Sequence, residues 1–333
     1  MEITKGQWII IILLTLMFVA MAGFVAFVIA VVLSFGPAYL YLKSIRNAEE
    51  TDKEPWSALR TTFIWGAVSG VFYSMIFNTA GGVLAFIYSG NSEELAFVLT
   101  AVVVAPIVEE FFKPLVLLRN VSVKREIDEV EDGIVYGAAC GLGFGATENI
   151  LYGLSEGVVA GGLAGLIIIV VLRTVSSILL HLTATSFTGY GISRYIVQGE
   201  PFSVVVKYYL LAVLIHAAWN AAAIMGSPLI FIFSILLAIG GLEFSKRRIR
   251  ELDLEGSNIQ AHSIRASQAG GDRWSESTSK WDKKAHRSSN TAPPIYESST
   301  DSPASNMFQD IDWRQVLGVG IFLLFLLSDL LFT

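Results

Sequence analysis

The sequence predicts an all-α fold, a polytopic bundle of about eight transmembrane helices. Of its 333 residues, 53% are hydrophobic and only 16% are charged, a balance that soluble domains do not tolerate. Eight apolar runs approach or exceed the roughly 20 residues that a helix needs to cross a bilayer. A net charge of −6 with scattered basic residues argues against nucleic-acid binding. The single cysteine, Cys140, excludes an intrachain disulfide and a thiolate zinc site.

The apolar runs define the predicted helices in chain order. They cover residues 8–33, 61–88, 95–118, 137–157, 158–184, 202–225, 229–244 and 315–331. The first run lacks a short apolar region that ends in a small-residue cleavage site. We therefore expect a retained first helix rather than a signal peptide.

Lysine and arginine predict the orientation of the bundle, because cytoplasmic loops contain an excess of both. With the N-terminus outside, 20 of the 23 basic residues lie in segments on one side. Lys5 lies on the other side, whereas Lys113 and Arg173 lie within predicted spans. This bias predicts a multi-pass protein of the cell membrane with both termini outside.

The composition of the chain changes after residue 245. Residues 246–312 are rich in Ser, Asp, Glu, Lys and Arg and contain the pair Pro293-Pro294. Such a segment cannot bury enough apolar surface to fold alone. We therefore expect a transmembrane core at residues 1–245, a disordered cytoplasmic linker at 246–312 and a separate transmembrane helix at 313–333.

The third predicted span contains Glu109, Glu110 and Lys113 between two prolines, Pro106 and Pro114. A charge at the bilayer centre costs at least ~2.5 kcal/mol, which makes ionisable residues in spans functional candidates. Glu109 and Lys113 share a helical face, and this pair alone is equally compatible with a structural ion pair. The second carboxylate then lacks a partner. Each proline leaves a carbonyl of the preceding turn unpaired, which predicts a kinked and locally polar helix.

The fourth span carries the sequence FGATENILY after a glycine-rich approach. Small residues at this density let helix backbones come close. Glu148 and Tyr152 share a helical face, and Asn149 lies beside them; a simple helix contact through Glu148 is the alternative. Glu148 lies level with the other polar groups if its helix begins near Gly137, and several ångströms too far outward if it begins near Gly133.

The fifth and sixth spans supply histidines. Arg173 and His181 are eight residues apart on the fifth span, about 80° around a helix, so both can face the bundle. His216 and Asn220 lie one turn apart in the sequence HAAWN of the sixth span. An imidazole and a carboxamide on one face of a membrane helix are both costly without partners.

Four consecutive predicted helices thus each carry groups that activate water or stabilise an oxyanion. One shared site explains this better than four independent contacts. The sequence has no G-x-S-x-G motif, which favours water as the nucleophile. The candidate catalytic residues are Glu109, Glu110, Glu148, His181, His216 and Asn220, with Lys113, Asn149, Tyr152 and Arg173 in support.

The order of these motifs resembles the PrsW family of intramembrane proteases. The matching elements are EEFFK from Glu109, FGATEN from Phe144, His181, HAAWN from His216 and DKEPW from Asp52. The resemblance covers about residues 30–245 and implies a fold shared with the CAAX prenyl endopeptidases and the scaffold subunit of gamma-secretase. It implies hydrolysis of peptide bonds within the lipid membrane. The linker and the eighth helix go beyond the usual pattern of the family.

The resemblance also implies a class of substrate, a membrane-anchored protein. Some family members cleave a membrane-bound anti-sigma factor, so an anti-sigma factor or another single-pass protein is the expected partner. For the reaction we hypothesise that Glu109 or Glu110 is the general base toward a water molecule, while Lys113 holds the other carboxylate.

A metal is the second part of this hypothesis. Glu148, His181 and His216 would either orient the water or coordinate a divalent metal. Zinc is a candidate, because three N or O ligands with an open fourth position suit catalytic zinc. The sequence has no HExxH motif. Asn220 would donate a hydrogen bond to the developing oxyanion.

Two other functions remain compatible with the polar residues. A proton-coupled transporter or channel also places carboxylates, histidine and arginine inside spans, although no repeat between the two halves of the chain is evident. A missing motif residue would favour a non-catalytic membrane scaffold, and none is missing.

Overall fold

A computed structural model describes the backbone of residues 3–281 and the side chains of residues 3–256. Every regular element in this part of the chain is helical, which confirms the predicted all-α fold. Two compact units divide the chain, Met1–Gln268 and Ala269–Thr333. Of the second unit, only residues 269–281 are described, and they are helical.

The helices follow one another in the order of the apolar runs. They are α1 Lys5–Ala22, α2 Phe24–Arg46, α3 Trp56–Ile64, α4 Val71–Tyr88, α5 Glu93–Leu99, α6 Ala105–Phe112, α7 Leu115–Arg119, α8 Val121–Arg125, α9 Asp132–Tyr152, α10 Val158–Thr174, α11 Ser177–Val197, α12 Ser203–Ile224 and α13 Pro228–Trp281. Three π-helical segments, Trp65–Gly70, Thr100–Val104 and Gly153–Gly157, join α3 to α4, α5 to α6 and α9 to α10. Seven continuous stretches within the described residues are long and apolar enough to cross a membrane, as a multi-pass protein requires. The longest, Asp132–Val197, has 66 residues and folds back at Gly161 and Gly162, where the backbone leaves the helical conformation.

The prediction of one helix over residues 8–33 is wrong. Gly23, with a φ of 85°, separates α1 from α2. That conformation is accessible to glycine at little cost, which is why the chain breaks there despite unbroken hydrophobicity. Thr4 and Gln7 at the start of α1 line a cavity of about 290 Å³ together with Arg60 and Asn120. The start of α1 therefore lies at the same end of the bundle as Arg60 and Asn120.

The two prolines of the third predicted span interrupt it. The π-helical segment Thr100–Val104 precedes Pro106, and α6 ends at Phe112, before Pro114. Side chains of neighbouring helices donate to carbonyls of this interrupted stretch: Trp65 Nε1 lies 3.0 Å from the oxygen of Phe112. The interruption places Glu109 and Glu110 on a short helix in the bundle interior.

Glycines bring α9 and α11 into backbone contact. A Cβ atom on Gly141 would lie 2.2 Å from the carbonyl oxygen of His181, and one on Gly137 would lie 2.6 Å from that of Thr185. No larger residue fits at these separations. This contact sets the distance between α9, which carries Glu148, and α11.

The predicted fifth span, residues 158–184, is also wrong as a single helix. Helix α10 ends at Thr174 and α11 begins at Ser177, with Ser176 in a non-helical conformation between them. Helix α11 then continues to Val197, through residues predicted as a loop. Arg173 and His181 consequently lie on two different helices.

Helix α13 extends past residue 245, where the linker was predicted to begin. Ile249 and Leu252 are buried in the core, and Asp253 accepts hydrogen bonds from the backbone N–H groups of Glu50 and Thr51 at 2.6 and 3.1 Å. The packed part of the chain thus includes residue 253. The rest of the predicted linker beyond residue 281 and the predicted helix at 313–333 lie outside the described residues.

Candidate active site

Helices α6, α9, α11 and α12 bring carboxylates, imidazoles and one ammonium group together in the interior of the bundle. Glu109 and Glu110 come from α6, Lys113 directly follows its last residue, His181 comes from α11 and His216 from α12. Each of them is at most 4% exposed. The rings of the two histidines meet edge to face with their centroids 4.9 Å apart. Most of the predicted site residues therefore converge.

Glu110 is held by three neighbours. Its Oε1 lies 2.8 Å from Lys113 Nζ and 2.9 Å from His216 Nδ1, and its Oε2 accepts a hydrogen bond from Thr185 Oγ1 at 3.0 Å. Both oxygens of this fully buried carboxylate thus have donors, which compensates for the loss of solvation. Glu110 orients His216 by accepting its Nδ1–H.

Glu109 is held at only one of its two oxygens. Asn78 Nδ2 donates to Oε1 at 3.1 Å. The other oxygen, Oε2, is buried without a hydrogen-bond partner, 3.4 Å from Lys113 Nζ and 3.8 Å from His216 Nε2. This oxygen faces both a positive charge and an imidazole nitrogen, and it is free to accept a proton or bind a cation.

Glu148 joins the cluster through His181. Its Oε2 lies 2.8 Å from His181 Nε2 and 2.7 Å from Arg173 Nη2. Arg173 Nε also donates to Asn149 Oδ1 at 3.2 Å, and the guanidinium lies 3.8 Å from the centroid of the Tyr152 ring. Glu148, Asn149, Tyr152 and Arg173 thus form one supporting layer, in which Arg173 neutralises Glu148.

The depth of Glu148 needs a correction. Its helix begins at Asp132, a start that was expected to place Glu148 too far outward. His181 compensates, because α11 begins at Ser177 and His181 sits in its second turn, facing Gly145. The break at Ser176, which the sequence did not reveal, therefore brings the two side chains to one level.

Asn220 lies apart from this hydrogen-bond network. Its Nδ2 donates to the carbonyl oxygen of Ala101 in the π-helical segment at 2.7 Å. A π-helical turn leaves backbone carbonyls to be paired by other groups. Asn220 therefore ties α12 to this segment, and one of its two N–H groups is not available to an oxyanion in this arrangement.

The group best placed to hold a metal differs from the predicted one. One ligand atom each of Glu109, His181 and His216 lie within 4.8 Å of one another, and all three residues are buried. Two imidazole nitrogens and one carboxylate oxygen are the donor set of many catalytic zinc sites. Glu109 Oε2, which has no hydrogen-bond partner, can accept a cation, so these donor types fit a divalent metal; to bind His181 the metal would have to replace Lys113 Nζ, which lies 2.8 Å from His181 Nδ1. Glu148, predicted as a ligand, instead pairs with Arg173 and His181.

Two site residues escaped sequence reasoning. Asn78, which donates to Glu109, lies on α4 inside an apolar run, and its polarity was the only signal. Thr185, which donates to Glu110, lies one residue beyond the predicted end of the fifth span. Threonines are common in membrane helices as backbone-bonded residues, so their presence alone carries little information.

Comparison with known proteins gives one family match. A model described as PrsW family intramembrane metalloprotease matches residues 54–240, more than half of the chain. This range contains every one of the site residues described above. No solved structure matches the chain.

Three curated relatives, each named Protease PrsW, are similar in sequence. The protein of Clostridioides difficile strain 630 is 31% identical over 172 residues, which cover 51% of this chain and 67% of the relative. That of Geobacillus kaustophilus strain HTA426 is 36% identical over 123 residues, 36% of this chain and 48% of the relative. That of Bacillus subtilis strain 168 is 33% identical over 130 residues, 36% of this chain and 50% of the relative. The chain therefore spans about half the length of two of these relatives and two thirds of the third.

Proposed function

Because this chain belongs to the PrsW family of intramembrane metalloproteases, we propose that it hydrolyses peptide bonds of membrane-anchored proteins at the cluster around Glu109 and His216. One observation carries the proposal. Glu109 Oε2 is a buried carboxylate oxygen without a hydrogen-bond partner, next to Lys113 and His216. Such an oxygen can take a proton from water, the step that a hydrolase requires.

In this mechanism Glu109 is the general base. Its Oε2 removes a proton from a water molecule as the water oxygen attacks the peptide carbonyl carbon, and the proton then passes to the nitrogen of the leaving amine as the C–N bond breaks. Lys113, at 3.4 Å, favours the ionised form of Glu109 before the attack. Glu110 holds His216 and Lys113 in place and does not itself transfer a proton, because both of its oxygens have donors.

A divalent metal, for which zinc is the candidate, would be held by Glu109, His181 and His216. When bound, such an ion polarises a carbonyl group and lowers the pKa of water. Glu109 Oε2 cannot ligate a metal and accept a proton at the same time, so the two roles of Glu109 are alternatives. Glu148 supports either one, since it fixes the orientation of His181 through Nε2.

The position of the site supports a membrane-anchored protein as the substrate. The cluster lies within stretches long and apolar enough to span a membrane. A substrate that reaches it must enter from the lipid, and its helix must unwind there, because helical carbonyls are already hydrogen-bonded. A single-pass protein meets these demands most simply, and an anti-sigma factor is one such protein.

The basic loops place one end of the bundle in the cytoplasm, if the excess of Lys and Arg marks that side. The start of α1 belongs to the same end, since Thr4 and Gln7 line one cavity with Arg60. This topology puts the N-terminal end of α1 inside, in place of the outside position predicted from the sequence.

The family match does not favour the alternatives of a transporter, a channel or a scaffold. The geometry agrees with the protease, because the buried Glu109 Oε2 has no hydrogen-bond donor and only the ion pair with Lys113 at 3.4 Å, which leaves it open to a proton from water.

Membrane proteomics tests the proposal. Cells that express the wild-type chain should contain new N-termini within or next to the spans of particular single-pass proteins, and these fragments should disappear with Glu109→Gln and with His216→Ala. Glu156→Gln is the matched control, because Glu156 is an exposed carboxylate of the same bundle. Fragments that persist in Glu109→Gln cells would contradict the mechanism, and a purified chain that moves protons across vesicles without cleaving would favour the transporter.

A further inference from the structure

A second cluster of carboxylates lies at the end of the bundle where α2 ends and α9 begins. Glu49 and Glu54 belong to the loop between α2 and α3, and Asp132 is the first residue of α9. They are 1%, 6% and 2% exposed, so all three are removed from water. One oxygen atom of each lies within 4.8 Å of the others.

These three carboxylates have no directly paired base, although Arg46 is near enough to act on Glu49 electrostatically. Among the residues that the structure describes, none of the three forms an ion pair within 4.0 Å. The nearby bases are directed at backbone instead: Arg46 Nε donates to the carbonyl of Glu54 at 2.6 Å, and Lys53 Nζ donates to the carbonyl of Glu49 at 2.7 Å. Buried carboxylates without a cation are expensive, so something else must neutralise them.

The hydrogen bonds of the cluster leave oxygen atoms available. Glu49 Oε2 accepts from the backbone N–H of Glu54 at 3.0 Å, whereas Glu49 Oε1 is buried with no hydrogen-bond partner. Asp132 Oδ2 accepts from two backbone N–H groups of the preceding loop at 2.9 and 2.7 Å. Glu54 Oε2 accepts from the hydroxyl of Tyr136, and the Glu54 carboxyl also lies within hydrogen-bonding range of Asp132. Donors thus hold one oxygen of each carboxylate, and one oxygen of each lies within 4.8 Å of the others.

We propose that Glu49, Glu54 and Asp132 bind a hard divalent cation, Ca²⁺ in preference to Mg²⁺. Carboxylate oxygens are the ligands of both ions, but only Ca²⁺ accepts an irregular set of protein oxygens with six to eight ligands. Further oxygens are at hand, because a cavity of about 110 Å³ beside Glu54 and Asp132 is also lined by Asp52 and Asp128; the bases Lys53 and Arg125 line it too and are outnumbered by the acids. It has room for water ligands, each of which takes about 30 Å³.

Without a cation, protons would have to occupy the cluster. Burial among other carboxylates raises the pKa of Glu49 to about 8 and that of Glu54 to about 11. A neighbouring group of Glu129, Glu131 and Asp253 needs no ion at Asp253. There Oδ2 accepts from the backbone N–H groups of Glu50 and Thr51, and Oδ1 accepts from the Thr51 hydroxyl. The cation is therefore assigned to the first group.

Such a cation would connect the α2–α3 loop to the first turn of α9. Helix α9 carries Glu148 about four turns further on. It packs against α11 through glycines whose close backbone contacts fix the distance between the two helices. An ion at Asp132 would accordingly stabilise the helix that positions Glu148, at a site separate from the candidate active site. Binding of an ion there requires no proteolytic activity.

Terbium luminescence tests this site, because Tb³⁺ replaces Ca²⁺ and is sensitised by nearby aromatic rings such as Tyr136, which contacts Glu54. The full chain, stripped of metal and held in detergent, should give a saturable signal that Ca²⁺ displaces. Glu49→Gln and Asp132→Asn should each lower the affinity for Tb³⁺ and for Ca²⁺ by at least about tenfold. Glu50→Gln, an exposed neighbour with the same change of charge, should bind as the wild type does, and so should His216→Ala, which alters only the candidate active site.

Thermal unfolding separates ligand loss from misfolding. In chelator, Glu49→Gln should unfold at or above the wild-type temperature, because it removes a buried carboxylate that repels its neighbours. Added Ca²⁺ should raise the midpoint of the wild type and leave that of Glu49→Gln unchanged. A wild-type chain without a saturable signal, or a Glu49→Gln chain that binds Ca²⁺ as tightly as the wild type, would overturn the proposal and leave the cluster to protons.

Discussion

Lys113 Nζ and His181 Nδ1 lie 2.8 Å apart in the interior of the bundle. An ammonium group can only donate, so His181 accepts at Nδ1 and carries its proton on Nε2, which faces Glu148 Oε2 at 2.8 Å. The same ammonium lies 2.8 Å from Glu110 and 4.2 Å from the centroid of the Phe144 ring. Lys113 therefore sets both the charge balance of the carboxylates and the tautomer of His181.

Replacing Lys113 should unfold the site as well as inactivate it. Lys113→Met leaves two buried carboxylates without their ammonium partner, and breaking such a pair costs about 3–5 kcal/mol. We expect a lower unfolding temperature in detergent and no cleavage. The double variant Lys113→Met/Glu110→Gln should recover part of the stability, because one of the two carboxylates is then neutral, but it should not recover cleavage. A Lys113→Met chain as stable as the wild type would show that Lys113 is not the counter-ion.

Arg173 should act as a positioning residue for Glu148. Its guanidinium contacts Glu148 at 2.7 Å, Asn149 at 3.2 Å and Ser177 Oγ at 3.1 Å. Arg173→Lys keeps the charge but cannot reach all three acceptors. We expect kcat to fall about 10–100-fold with little change in KM, by analogy with residues that orient a ligand. Arg194→Lys, which alters the half-exposed pair with Glu200, is the control that should leave kcat unchanged.

The glycine contact between α9 and α11 can be tested by adding one methyl group. Gly141→Ala places a Cβ 2.2 Å from the carbonyl oxygen of His181, so the two helices must separate. We expect a lower unfolding temperature and loss of cleavage. Gly36→Ala is the matched control, because nothing lies within 4 Å of its Cβ, and it should stabilise α2 by up to about 1 kcal/mol. Equal effects of the two substitutions would contradict this account.

The sequence predicted the helices better than their ends. Hydrophobicity marks segments that lie in lipid, and charge inside them marks functional candidates, so Glu109, Glu110, His181 and His216, which the structure brings together, were singled out as candidates from the sequence. Breaks within apolar runs leave no trace in hydrophobicity. Gly23 and Ser176 interrupt such runs, and for this reason residues 8–33 and 158–184 were each predicted as one helix.

Which polar residues touch one another was harder to predict than which residues matter. Glu148 was expected among the metal ligands, but Arg173 at 2.7 Å neutralises it and of the two histidines it contacts His181 alone, whereas Glu109 lies within 4.8 Å of both histidines. That exchange depends on the break before α11, which moves His181 relative to Arg173. Asn78 and Thr185 complete the carboxylate environment from helices whose rotation cannot be read from one sequence.

Metal analysis should distinguish the observed ligand group from the predicted one. After incubation with zinc and dialysis, the wild-type chain should retain the ion, and Glu109→Gln should lose it because a ligand is gone. Glu148→Gln should retain the ion with an affinity lowered about 10–100-fold, since Glu148 only orients His181. If Glu148→Gln loses the metal as completely as Glu109→Gln does, Glu148 is itself a metal ligand, as the sequence predicted.

Asn220 and Tyr209 offer a comparison that separates structural from catalytic hydrogen bonds. Both lie on α12 and both donate to backbone carbonyls of the interrupted stretch that leads to Glu109: Asn220 Nδ2 to Ala101 at 2.7 Å and Tyr209 Oη to Ile107 at 2.8 Å. If these bonds only tie the helices together, Asn220→Ala and Tyr209→Phe should each lower the free energy of unfolding by about 1 kcal/mol and affect kcat alike. If Asn220 were instead an oxyanion donor, kcat of Asn220→Ala would fall by a further ~100–1,000-fold. We expect the two variants to match, because the bond to Ala101 already engages the Asn220 amide, and a selective collapse of kcat in Asn220→Ala would assign the oxyanion to it instead.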